Sequence, residues 1–81
     1  MLTGSQIRMA RGYAKLSAAK LGELAGVAES TIKRMESIEG VPNASGANLQ
    51  KVQRAFEEIG LEFIAENGGG AGVRLRDRQG Q

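Results

Sequence analysis

Apolar positions recur at steps of three and four through most of this chain and then switch to steps of two near its end. In "SQIRMARGYA" the residues Ile7, Ala10 and Ala14 share one helical face, which predicts a first helix with Ser5 as its N-cap. Ser17 precedes "AAKLGELAG", whose Leu21 and Ala25 fall on one side and whose Gly26 is a stop signal, so a second helix of about two turns is expected. The period resumes in "VAESTIKRMES", with Ile32 and Met35 inward, Glu29 in the first turn, and Glu29, Ser30, Thr31, Lys33 and Arg34 outward. A loop, "IEGVPNASGAN", contains the single proline, Pro42. Beyond it, "NLQKVQRAFEEIG" places Leu49, Val52, Phe56 and Ile59 on one stripe and ends at Gly60.

After Gly60 the alternation in "LEFIAE" and "GVRLR" around "NGGGAG" predicts a hairpin with an apolar face of Leu61, Phe63, Val73 and Leu75. The expected organisation is a helical domain over 1–60, a hairpin extension over 61–76 and a flexible tail over 77–81. The fold class is mainly α, about four helices with a C-terminal β-hairpin.

Composition narrows the chemistry. The chain has 81 residues, enough for one small domain, and neither cysteine nor histidine. Disulfides and thiolate metal sites are therefore absent, and the usual general base and commonest metal ligand are missing, so an enzyme is not expected and no cofactor is called for. No apolar run reaches the roughly 18 to 20 residues of a membrane span, and Met1 to Ala10 lacks the apolar core of a signal peptide. The expected location is cytoplasmic.

Net charge is only +2, but its distribution is uneven. Through Glu36, six bases (Arg8, Arg11, Lys15, Lys20, Lys33, Arg34) face three acids (Glu23, Glu29, Glu36), a net of +3. From Ser37 to Glu66 the balance is acidic, and bases return with Arg74, Arg76 and Arg78. The basic segment runs through the first three predicted helices. Two short helices joined by a glycine turn form a helix-turn-helix arrangement, in which the second helix enters the DNA major groove. Gly22 provides the close helix approach, Gly26 the sharp turn, and Val27 fills the space beneath it.

Through "LSAAKLGELAGVAESTIKRME" the chain resembles the Cro and phage-repressor-like (XRE) helix-turn-helix family, from Leu2 to about Ile59; "GLEFIAENGGGAGVRLR" is similar to the extension of a subset of small bacterial members. The resemblance implies a lambda-repressor-like helical bundle and an ion pair between Arg11 and Glu36 that locks the first helix to the third. It also implies base reading by Glu29, Ser30 and Arg34, with Thr31 and Lys33 nearer the backbone. Arg34 suits bidentate recognition of guanine, and Glu29 suits acceptance from cytosine N4. The chain departs from the family pattern at Ala18, where glutamine is usual, at Ala28, where a capping serine or threonine is usual, at Gly22 and at Leu24.

Simpler readings stand beside these. Lys33 and Arg34 would be ordinary solvated charges on any exposed helix, and Glu29 a dipole partner at a helix start. Ser17, Lys15 and Lys20 lie where a phosphate would pass helix two, or are merely solvated. The glycines from Gly68 to Gly72 lack a following GK[ST] and a helix, so they read as a hairpin tip. With Tyr13, Phe56 and Phe63 the only aromatics, stacking on single strands has little to use, and duplex DNA is the expected partner.

One such module binds DNA weakly, which predicts a homodimer on a palindromic operator and a repressor's role, in a nucleoid-associated setting. Leu61, Phe63, Val73 and Leu75 are the expected dimerisation residues, either by pairing of the hairpin edge or with the face packing on helix four. The alternative is a protein-interaction module, such as an antitoxin, whose hairpin captures a protein partner.

Overall fold

The computed structural model describes residues 2–42, 44–64 and 72–75; the expected hairpin tip, Arg76, Arg78 and the tail lie outside these ranges. The elements run α1 (Gly4–Ala14), α2 (Ala18–Ala25), α3 (Glu29–Glu36), α4 (Gly46–Glu58), β1 (Leu61–Ile64) and β2 (Gly72–Leu75). Among the described residues, four helices and a C-terminal antiparallel hairpin make up the fold anticipated from the hydrophobic periodicity. Among the described residues, no helix is long and apolar enough to cross a membrane.

Local chemistry explains most boundaries. Ser17 caps α2 by accepting from the Lys20 amide at 3.0 Å, and Gly26 ends it with φ of 74°. Ser45 caps α4 by accepting from the Asn48 amide, so that helix begins at Gly46 rather than at Asn48. The start of α1 differs from the sequence expectation. Thr3, not Ser5, is the N-cap: its hydroxyl accepts from the Gln6 amide at 3.0 Å, and the Gln6 side-chain oxygen accepts from the Thr3 amide at 2.9 Å. The reciprocal Thr-x-x-Gln box satisfies two amides at once, whereas Ser5 has Arg8 at the matching position.

The core is built from Ile7, Leu21, Ile32, Met35, Val52 and Phe56, one or two from each helix, all fully buried. Leu49 joins them from α4, but Ile59 does not; it is 48% exposed. The helix stops at Glu58 and the backbone turns at Ile59 and Gly60, so the periodic stripe ends one step early and Ala55 fills the inward position instead.

The strands pair Leu61 with Leu75 and Phe63 with Val73, one of the registers compatible with the alternation. β1 lies against α4 and β2 against α1. Leu61 is buried, and Phe63 and Val73 pack on the same core. Phe63 meets Phe56 edge to face, with ring centroids 5.6 Å apart. These three side chains of the expected dimerisation face thus close the chain's own core. On the other side of the hairpin Arg74 pairs with Glu62 at 3.1 Å.

Candidate nucleic-acid interface on the second and third helices

The turn between α2 and α3 is tight because backbone meets backbone. The Gly22 carbonyl accepts from the amides of Gly26 at 2.8 Å and Val27 at 2.9 Å. A Cβ on residue 22 would fall 2.5 Å from the Val27 carbonyl oxygen, so glycine is what lets the turn fold back onto α2. Val27 is buried beneath it. Ala28 holds the N-cap position of α3 without a side-chain hydrogen bond, as its methyl group dictates. From that start Ile32 and Met35 point inward, while Glu29, Ser30, Lys33 and Arg34 are exposed and Thr31 is half-buried.

The far end of α3 is held by α1. Arg11 donates through Nε to Glu36 Oε2 at 2.7 Å and through Nη2 to Oε1 at 2.9 Å, a two-pronged pair with a carboxylate only 8% exposed. Its Nη1 also donates to the Leu16 carbonyl at 3.1 Å. The hydrogen bond to Glu36 raises the Arg11 pKa from its ordinary value; partial burial opposes this, and the Coulombic attraction of the same carboxylate adds to it. Arg8 donates through Nη1 to the Glu36 backbone carbonyl and through Nη2 to the Ser5 hydroxyl. Just beyond α3, the Gly4 amide donates to the Gly40 carbonyl at 2.9 Å. Gly4 sits so close that a Cβ there would lie 1.8 Å from the Ile38 carbonyl oxygen. Opposite helix ends are thereby brought together, the amides of α1 meeting carbonyls that follow α3.

The exposed face carries mixed charge. Lys33 lies 3.3 Å from Glu29 one turn earlier on α3, and Lys20 lies 3.4 Å from Glu23 on α2. The Arg34 guanidinium has no hydrogen-bond or ion-pair partner among the described residues, while the Arg34 carbonyl accepts from the Ser37 hydroxyl at 2.7 Å. Beside it a cleft of about 270 Å³ opens between the end of α3 and the following loop, lined by Arg34, Met35, Ser37, Ile38, Pro42 and Ala44. Ser17 keeps its hydroxyl on the α2 cap, and Lys15 ends α1 in a left-handed conformation with φ of 59°. Leu24 stands half out on α2 at 48% exposure, an apolar group among the charges.

Of the residues singled out from the sequence, Glu29, Ser30, Thr31, Lys33 and Arg34 share one helix, with Ser17 and Lys20 on its neighbour; Arg11 and Glu36 pair as the resemblance implied. Two anchoring residues escaped sequence reading. Local sequence shows Arg8 only as a charge. Gln6, 2% exposed, donates from Nε2 to the carbonyls of Ile64 and Gly72, both at 3.0 Å, and so fastens the hairpin to α1. The Thr3–Gln6 spacing was visible as a capping box, but its partners in the strands were not. No family model matches the chain, and no match to it is found among curated proteins.

Proposed function

We propose that this chain is a sequence-specific, double-stranded-DNA-binding transcription regulator, a repressor that occupies a palindromic operator as a homodimer in the cytoplasm, at the nucleoid. The observation that carries this reading is the division of α3. Its inner side and both ends are fixed by Val27, Ile32, Met35 and the Arg8 and Arg11 contacts to Glu36, while its outer side presents short polar groups and an unpartnered guanidinium. A rigidly mounted helix with a free Arg34 suits reading of base edges in a major groove, with Ser30 and Thr31 small enough to let the backbone approach. The XRE-like sequence over the same residues supports the same reading.

A monomer's phosphate contacts give affinities of about 10⁻⁴ to 10⁻⁶ M near physiological salt. Two copies with their third helices about 34 Å apart address successive major grooves and multiply that affinity. The hairpin edge is the proposed dimer contact, since Leu61, Phe63 and Val73 of its face already pack on the core. A two-stranded sheet has an outer edge on each strand, and this favours one second reading, capture of a protein partner by strand addition as in an antitoxin.

Selection of duplexes from a randomised pool, with wild type and Arg34→Ala in parallel at low and moderate salt, tests the proposal. The expected result is a palindromic motif in which the variant loses preference at one base pair in each half. Salt-sensitive binding without any motif sinks sequence reading and turns attention to the hairpin edge.

A further inference from the structure

Every cation on α2 and α3 except Arg34 stands beside an acid: Lys20 beside Glu23, Lys33 beside Glu29. A surface evolved only to grip phosphates would leave its lysines free, because each free cation near the backbone adds to binding at any sequence. Glu29 is the telling case. It sits in the first turn of α3, where a negative charge suits the helix dipole, and lies one turn before Lys33 in the favourable Glu-to-Lys order. It is also exposed on the face that, under the DNA-binding reading proposed above, approaches the phosphates.

We propose that the Glu29–Lys33 pair determines specificity by suppressing non-specific DNA binding. On an arbitrary duplex the carboxylate repels the backbone and occupies the Lys33 ammonium, so neither residue contributes attraction. On the operator, Glu29 accepts a hydrogen bond from a cytosine N4 amino group, and Lys33 turns from the carboxylate to a phosphate oxygen. The correct base therefore releases the lysine, and the same two side chains penalise wrong sequences and reward the right one. Arg34, unpartnered in the free protein, supplies the attraction that holds the protein on DNA while it searches and turns to a base edge on the operator.

The test compares wild type, Glu29→Gln, Lys33→Ala and the double variant on two probes: the duplex selected by wild type and a scrambled duplex of equal length, across a salt series. Glu29→Gln is expected to tighten scrambled-duplex binding about three- to tenfold and to steepen its salt dependence by about one counterion. Binding to the selected duplex should stay level or weaken, so the selectivity ratio falls. In the Lys33→Ala background the steeper salt dependence should disappear, because the released lysine is its source. Glu58→Gln on α4 makes the same charge change and should leave the ratio unchanged. Equal tightening on both probes, or no change on the scrambled one, overturns the inference. A wild type that selects no duplex overturns the DNA-binding reading itself, whereas a selective wild type whose ratio Glu29→Gln leaves intact overturns this inference alone.

Discussion

Arg11 on α1 and Glu36 at the end of α3 meet through two hydrogen bonds, at 2.7 and 2.9 Å, across 25 residues of sequence. The pair ties the proposed reading helix to the element that starts the domain. Glu36→Ala should cost about 2 to 3 kcal/mol in urea unfolding, below the range for a fully buried pair because Arg11 keeps some contact with water. A loss under about 0.5 kcal/mol would mean the pair only decorates the helix contact. On the alkaline side the sign is fixed by the raised Arg11 pKa. Stabilisation is complete below the unfolded-state value and is lost only as pH climbs through the higher folded-state value, so the cost of Glu36→Ala should match at about pH 7 and about pH 9.

Two glycines of α1 should respond in opposite directions to alanine. At Gly4 the new Cβ would lie 1.8 Å from the Ile38 carbonyl oxygen and 2.4 Å from that of Met35, and backbone must move to admit it. Gly4→Ala should destabilise by about 2 kcal/mol or more. At Gly12 nothing lies within 4 Å, so Gly12→Ala should stabilise by about 0.5 to 1 kcal/mol through helix propensity alone. Thermal unfolding of the two variants beside wild type checks both signs at once.

Removing the Gln6 amide should loosen the hairpin selectively. Gln6→Leu keeps the bulk but deprives the Ile64 and Gly72 carbonyls and the Thr3 amide of their partner. The expected cost is about 1 to 3 kcal/mol. Amide hydrogen exchange should accelerate in β1 and β2 more than in α2 and α3; uniform acceleration would show that Gln6 supports the whole core instead.

The uncapped start of α3 leaves room for improvement. Ala28 already has the extended backbone of an N-cap, with φ of −61° and ψ of 144°, and lacks only an acceptor. Ala28→Ser should add about 0.5 to 1 kcal/mol, visible as a rise in Tm of about 2 to 8 °C.

Most features that depend on a few neighbouring residues were legible in the sequence, the N-cap of α1 at Thr3 rather than Ser5 being the exception. Ser17, Gly26 and Ala28 mark the limits of α2 and α3 because capping is decided within three or four positions, and the Leu61 and Phe63 alternation marked β1 as a strand for the same reason. Ile59 misled because periodicity does not announce where a helix stops; the turn at Gly60 decided it. Contacts spanning the chain were invisible as partners. Gln6 finds its carbonyls 58 and 66 residues on, and Arg8 meets Glu36 28 residues on. Nothing in a glutamine's local context says that it will be buried against a strand. The candidate interface was legible as a residue set, but not its ion pairing: the spacing of Glu29 and Lys33 permits a contact, and only the side-chain arrangement shows it made.

Since Gln6 fastens the hairpin while Arg8 and Arg11 fasten α3, the first helix sets the angle between the two elements much as a camshaft sets the phase of its lobes. One residue inserted between Gln6 and Arg8 would turn the arginines about 100° away from the glutamine and shift them by about 1.5 Å along the axis. Neither grip could then form without breaking the other. Under the proposed DNA-binding reading, in a dimer joined through the hairpins, the spacing of Gln6 from Arg8 and Arg11 along α1 would therefore fix the spacing of the half-sites.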